Sequence, residues 1–521
     1  PQNLAIDIMS SIQSQAARRN LPTRERKAMK TQISKFPVIL EFVNCQQIRE
    51  SIVDSNFVQL LSELIATSKS TSFPGDDTFR ETLLSIVEAI SQSARLLLDL
   101  NQSVLKQLLP ALVSMLTSTS STIRFLSLKV VSDILIQLFR PASESIDGNI
   151  KRIQTLTLDV IHQLIPQYKA ILKDQEAITA KGLKLLNTLV EIDSSIVQAM
   201  TKYGITSHLI EYFQAKHMNN SLHTVQLLGS IIKADDPPDY MVLRLICQQH
   251  NLTKSVSTLL RQFYKFKKEW FYQPLLEIIH CLLMAAAGLK EDEDGKMVSA
   301  KASQAATKAL LDQLRPMTEV ISLIMELMLV GTSPSKQRKP SIVQIGISKK
   351  GSGSRTVSRA GTSHGVDSQS SLNSHTQASV RSLATTVLWL LVEMYPSSHN
   401  IILSQANLGR MSAGLIFATR HISQTRSAKI RNPELASDLE VQRNLLRAAY
   451  IAVGNDAKRA QILSNFCSKN SQFIRVLQDA SQKYKAADSH AQKYAASLCH
   501  LISRRTNSTG TARRVNTGRR F

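Results

Sequence analysis

A chain of 521 residues with 43% hydrophobic but only 5% aromatic residues is too long for one compact core and too poor in aromatics for a β-sandwich, so its core must be divided or drawn out. The formal charge of +23, from 63 Lys and Arg against 40 Asp and Glu, excludes an acidic, polyanion-repelling surface. Cys45, Cys247, Cys281, Cys467 and Cys499 form no C-x-x-C pair, which excludes a zinc ribbon and reads as reduced thiols of a cytosolic or nuclear protein.

The first helix is predicted over 4–17, followed by the basic cluster Arg18, Arg19, Arg24, Arg26, Lys27, Lys30 and Lys35. Residues 1–35 are therefore set apart as an N-terminal segment. From Phe36 onward one pattern recurs: an apolar helix, a polar break, another apolar helix. In its clearest copy Leu109, Leu112, Val113 and Leu116 fall at i, i+3, i+4 and i+7. After a polar stretch, Ile123, Leu126, Val130, Ile134 and Leu138 form the second stripe. A related copy pairs Ile205, Leu209 and Phe213 with Val225, Leu228 and Ile232. Breaks fall at 68–78, around Pro74-Gly75, at 140–148, and at Asp235-Asp-Pro-Pro-Asp. Helix pairs that recur along a chain bury their faces only by stacking on neighbours, which makes an α-solenoid. This reading takes 36–330 as one solenoid block. No alternating run is long enough to predict a sheet.

Residues 331–376 are rich in Ser, Gly, Lys and Arg and lose the apolar period, except at 342–347. They are expected to be a disordered basic insert. The period returns with Val380, Leu383, Val387, Leu390, Leu391 and Met394. Further helices are predicted at 402–421, 434–453, 459–467 and 472–502, making 377–503 a second helical-repeat block. Residues 504–521 read as a disordered basic tail. The fold expected is all-α: an α-solenoid of degenerate armadillo/HEAT-like repeats with a disordered insert and tail.

The motifs of catalysis are missing from this sequence. There is no G-x-x-x-x-G-K-[ST] loop, no His-Arg-Asp, no Asp-Phe-Gly and no H-E-x-x-H. Gly361-Thr-Ser-His-Gly365 matches G-x-S-x-G by letter, but the insert supplies neither the strand nor the helix that a nucleophile elbow needs. His280 beside Cys281 reads as a core histidine, and Glu291-Asp-Glu-Asp294 as a solvated loop without calcium spacing. No catalytic residue, metal or cofactor is expected. No uncharged apolar run reaches the roughly 20 residues of a membrane span. Pro1 in place of an initiator methionine leads us to expect a processed chain or a piece of a longer one.

What remains is recognition. Tyr264-Lys-Phe-Lys-Lys-Glu-Trp-Phe-Tyr272 is the densest aromatic and basic cluster. Lys265, Lys267, Lys268, Trp270 and Tyr272 are the candidate protein contacts, since exposed Trp and Tyr beside cations are hot-spot types. The alternative is that Trp270 and Phe271 cap the next helix onto the core. Arg504, Arg505, Arg513, Arg514, Arg519 and Arg520 are the candidate polyanion contacts, of which acidic protein surfaces such as tubulin tails are favoured. Nucleic acid is less favoured because only Phe521 is available to stack. Arg355-Thr-Val-Ser358 and Arg359-Ala-Gly-Thr362 place Ser358 and Thr362 where a basophilic kinase would phosphorylate them.

The helix pairs resemble armadillo/HEAT repeats across 36–330 and 380–502. Two segments, Ile33-Ser-Lys-Phe-Pro-Val-Ile-Leu-Glu-Phe and Phe125-Leu-Ser-Leu-Lys-Val-Val-Ser-Asp-Ile-Leu, are similar to the helical-repeat tails of Fused-type kinases and pseudokinases. In that family a kinase fold precedes the tail, and the tail serves as a scaffold in ciliary and microtubule-linked assemblies. The resemblance therefore implies a non-enzymatic, protein-binding chain of the cytoplasm, cilium or cytoskeleton, or the regulatory tail of a larger kinase. A nucleic-acid adaptor acting through the basic arms is the third expectation.

Overall fold

The computed structural model describes residues 1–16, 23–69, 73, 76–139, 148–216, 221–234, 242–244, 247, 251–291, 297–332, 373–428, 434–482 and 485–514. It is an all-α solenoid-type stack divided into two compact units, Pro1–Asp236 with Tyr240–His250, and Pro237–Asp239 with Asn251–Phe521.

The first unit holds α1 (Gln2–Ala16), α2 (Thr23–Ile33), α3 (Pro37–Asn44), α4 (Gln46–Ile52), α5 (Ser55–Ser68), α6 (Asp77–Ser91), α7 (Ala94–Asp99), α8 (Asn101–Ser103) and α9 (Leu109–Met115). It continues with α10 (Ser121–Leu138), α11 (Gly148–Leu164), α12 (Tyr168–Ile171), α13 (Glu176–Ile192), α14 (Ile196–Lys202), α15 (Ile205–Lys216) and α16 (Leu222–Lys233). Each helix of one row packs on the helix a repeat ahead: α3 on α6, α6 on α10, α10 on α13, α13 on α16. A second row runs from α1 to α5 to α9 to α11. This nearest-neighbour stacking is what a repeated apolar stripe produces.

Starts are set by side-chain caps. Asp54 accepts from the Phe57 N–H at 2.8 Å and Asp76 from the Phe79 N–H at 3.1 Å, so the polar break before α6 also starts it. Between α8 and α9 the helix widens into a π turn, Val104–Leu108. Leu105, Leu108, Leu109 and Leu112, at i, i+3, i+4 and i+7, are all buried through this turn.

The second unit holds α17 (Leu252–Lys265), α18 (Tyr272–Ala286), α19 (Gln304–Leu314), α20 (Ile321–Leu327), α21 (Ser374–Met394), α22 (Ser398–Ile402), α23 (Gln405–Ala428), α24 (Leu435–Val453), α25 (Ala457–Lys469), α26 (Ser471–Ser481) and α27 (Ser489–Arg514). Here α18 packs on α21, α21 on α24, and α24 on α27, while α20, α23 and α26 form the other row.

The structure departs from the sequence expectations at five places. The units divide within the Asp235-Asp-Pro-Pro-Asp region and not at the insert, because α18 and α21 bury their apolar faces directly on each other across it. The second block begins earlier than 377, since Asn373 caps α21 by accepting from the Thr376 N–H at 2.8 Å. α21 is buried on almost every side, not on one stripe: Ala384, Thr385, Val387, Leu388 and Trp389 are all interior. The single helix expected over 472–502 is two, because Asp488 restarts the chain by capping the Ala491 N–H at 2.7 Å and Gln492 closes the end of α26 on the Ser481 carbonyl. α27 then runs on to Arg514, past the expected tail boundary at 504. Thr, Asn, Ser and Gly make most of that stretch and are poor helix formers, but extending a helix costs far less than starting one.

A two-stranded antiparallel hairpin, β1 (Leu289–Glu291) and β2 (Met297–Ser299), follows α18. Its strands are too short to have shown an alternating pattern. Residues 333–372 and 515–521 lie outside the described residues, and with them Ser358, Thr362, Arg519 and Arg520.

Candidate protein-binding surface

The aromatic and basic cluster forms the turn between α17 and α18. α17 turns Leu252, Val256, Leu259, Leu260 and Phe263 into the core. It ends where Lys267 takes a left-handed conformation, φ +52°. The Lys268 N–H then bonds the Phe263 carbonyl at 2.9 Å, and the Lys267 N–H bonds the Tyr264 carbonyl at 3.1 Å. These two bonds make a Schellman motif whose left-handed position glycine would normally fill. The Lys268 ammonium lies 5.6 Å from the Phe263 ring centroid.

The motif sorts the aromatic residues. Phe271 and Tyr272 are buried, and Phe271 stacks on Phe263 with centroids 4.2 Å apart. Tyr272 therefore corrects the sequence reading: it starts α18 inside the core and offers no ring at the surface. Burial pushes its phenol up to about 12. Phe266, Trp270 and Tyr264 stay outside, at 57%, 39% and 36% exposure. They were legible only as part of the cluster; Phe266, the most exposed, was not singled out because its outward position depends on the left-handed residue after it.

Lys265 and Lys267 are exposed beside these rings. Two of the nearby acids are already matched: Arg261 lies 3.2 Å from Glu319, and Arg410 lies 2.5 Å from Glu326, which also accepts from the Tyr264 hydroxyl at 3.4 Å; a third, Glu269, lies within the turn itself. Partial burial first, and Glu326 second, raise the Tyr264 phenol above its ordinary value. Neither Lys265 nor Lys267 has an ion-pair partner among the described residues. The turn thus presents apolar rings flanked by Lys265 and Lys267, with Lys268 outweighing Glu269 in the local charge, a surface that fits an acidic partner bearing an apolar side chain.

The tail residues Arg504, Arg505, Arg513 and Arg514 lie on the last turns of α27, with their side chains outside the described residues. The structure does not bring them together with the turn. Among the described residues no three His, Cys, Asp or Glu side chains converge as metal ligands. No described helix is long and apolar enough to cross a membrane.

Residues 2–198 match a family described as "Serine/threonine-protein kinase ULK4-like, HEAT repeats". The chain is 24% identical over 274 residues to the serine/threonine-protein kinase RUNKEL of Arabidopsis thaliana, covering 52% of this chain and 19% of that protein. It is 24% identical over 352 residues to the serine/threonine-protein kinase ULK4 of Mus musculus, covering 63% of this chain and 27% of that protein. The chain thus spans well under two thirds of either relative. Among solved structures, an engineered protein aligns with 95% of this chain and 99% of its own at 13% identity and a TM-score of 0.43. SYS-1, in its complex with POP-1, aligns with 96% of this chain and 92% of its own at 10% identity and a TM-score of 0.34.

Proposed function

We propose that this HEAT/armadillo-repeat chain, related to the tail of ULK4, is a non-enzymatic scaffold that organises a protein assembly. The carrying observation is the α17–α18 turn, where Phe266 and Trp270 are held outside the core beside Lys265 and Lys267. A repeat stack places such a turn on a rigid support, which lowers the entropy lost on binding. Acidic protein surfaces of the kind that tubulin tails present are the favoured partners, with a cytoplasmic, ciliary or cytoskeletal location. The arginines from 504 onward would add salt-sensitive attraction.

A second reading rests on the family match: the chain acts as the regulatory tail of a larger serine/threonine kinase or pseudokinase and positions its ATP-binding domain. The two are compatible, because a tail can scaffold.

Co-sedimentation with microtubules at low and high salt tests the first reading. Binding that weakens steeply with salt, and that the joint substitution Phe266→Ser, Trp270→Ser, Lys265→Glu and Lys267→Glu removes, is the expected result. Unchanged binding by that variant removes the turn from the contact, and no binding at low salt removes the partner. RNA or DNA binding with a steep salt slope would favour the nucleic-acid adaptor instead. Probing cell extracts with an antibody to residues 504–521 tests the second: a species far above the 57.9 kDa of this chain is expected, and one near that mass refutes it.

A further inference from the structure

The hairpin borders a cleft of about 690 Å³ on the second unit, away from the α17–α18 turn, walled by Ala286, Gly288 and Ala300 on one side and by Trp389 and Arg447 on the other. Small side chains leave the space; the aromatic residue gives it an apolar wall. We propose that this cleft binds an extended acidic peptide segment of another protein, which adds a strand to the hairpin and sets a carboxylate on Arg447.

Two independent features carry this. The first is the strand edge. The Ala300 N–H bonds the Gly288 carbonyl at 2.7 Å, so Gly288 and Ala300 form a hydrogen-bonded pair. The next pair, Leu289 opposite Ser299, is then of the non-hydrogen-bonded kind, and its N–H and C=O groups point away from the ribbon. Both residues border the cleft, and Ser299 is exposed. β1 lies against α18, and no described element other than β1 packs comparably on β2, so the β2 edge is the one taken for the added strand. A two-stranded ribbon of this length is marginal alone, and a third strand is the addition its open groups accept.

The second is the guanidinium. The Arg447 guanidinium carbon lies over the Trp389 ring, 3.7 Å from its centroid. Its Nη2 donates to Glu393 at 2.7 Å, while Nε and Nη1 make no hydrogen bond among the described residues. A guanidinium held by stacking with open donors is prepared for a carboxylate. Lys290 and Lys301 are exposed on and beside the strands, but Glu291 ends β1, the sequence after it carries Asp292, Glu293 and Asp294, and Glu393 borders the cleft, so the preference for a carboxylate rests on Arg447 alone.

The chain has two tryptophans, so Trp270→Phe leaves Trp389 as the only indole reporter. Three acetylated octapeptides of alternating Thr and Val would be titrated against that variant: one with a central Glu, one with Gln in its place, and the Glu peptide with alternate backbone nitrogens methylated. Saturable change in Trp389 emission is expected for the Glu peptide. Affinity should fall about tenfold with Gln, the scale of one charge-assisted hydrogen bond, and vanish with the methylated backbone. Arg447→Ala should erase the preference for Glu over Gln. Ser299→Pro, which removes an outward N–H at a strand edge, should weaken both peptides with unchanged helical circular dichroism. Equal affinity for Glu and Gln peptides on the unaltered cleft overturns the carboxylate site. Equal binding of the methylated peptide overturns strand addition. Inorganic phosphate that competes as well as the peptide binds would mean a simple anion pocket and overturn both.

Discussion

The two units solve the same stacking problem with opposite interiors. In the first, the buried polar side chains are Ser and Thr apart from Arg49 and Asn187, and the charges sit at the rim as ion pairs between successive helices of one row. Glu88 on α6 meets Lys129 on α10 at 2.5 Å, and Asp133 on α10 meets Lys181 on α13 at 3.3 Å. In the second, polar groups enter the core. Arg381 and Asp438 are almost fully buried, 3.7 Å apart, and His421 bonds the other carboxylate oxygen. Gln442 donates to the Thr419 hydroxyl at 2.9 Å and to the Lys485 carbonyl at 3.0 Å; Asn444 donates to the Thr386 hydroxyl at 2.9 Å. An apolar interior holds helices together but scarcely specifies register. A polar interior specifies register and is costly when broken.

The largest expected effect comes from opening that polar interior. Asp438→Ala strands the Arg381 guanidinium and should cost about 3–5 kcal/mol, seen as faster hydrogen exchange across α21 and α24 with α10 and α13 unchanged. An equal rise in both units would end the comparison. Next is overpacking of the dry interior. A Cβ on Gly182 would stand 2.7 Å from the Ile171 side chain, beside Tyr168, whose hydroxyl bonds the Gly182 carbonyl at 2.8 Å. Gly182→Val should cost about 2–3 kcal/mol, confined to the first unit in a denaturant titration followed by exchange. Third, Arg124 holds Asp174 through two hydrogen bonds of 2.5 and 2.7 Å and also the Ser118 carbonyl at 2.8 Å. Arg124→Ala should cost about 1–3 kcal/mol.

The acids should also respond oppositely to pH. Asp174 is held below the usual carboxylate value, chiefly by its hydrogen bond from Arg124. Its contribution is present above about pH 4 and is lost as pH falls through the lowered value. Asp438 is raised, chiefly by burial, with His421 and Arg381 opposing. Its folded form holds the proton more tightly than the unfolded chain does, so its contribution is present below about pH 4 and declines as pH rises through the raised value. On acidification the parent should lose its advantage over Asp174→Asn and gain on Asp438→Asn. The smallest effect is Lys267→Gly, which relieves the left-handed strain and should stabilise by about 0.5–1 kcal/mol; a loss in thermal melting would show that Lys267 holds the turn by other contacts.

The apolar period of α10, α13 and α24 was legible because their faces repeat every turn. Less legible was anything that depends on distance along the chain. Arg381, in Val380-Arg-Ser-Leu, looks like a surface cation until Asp438 is found on a helix three places on. The break before Asp488 was hidden because Ala and Lys on either side are good helix formers. Tyr272 looked like a surface aromatic because sequence cannot say which residue of a turn takes the positive φ. The hairpin edge and the Arg447–Trp389 stack join residues from three separate helical pairs, and no local signal announces them.

The π turn before α9 has a consequence of another kind. It holds one residue more than an α-helix of the same path needs, and Pro110 follows it at once. A copy of the chain lacking Lys106, which faces solvent, could restore a helix of regular pitch between the flanking stripes. Its stability would thus say whether the stack depends on the extra residue or merely accommodates it.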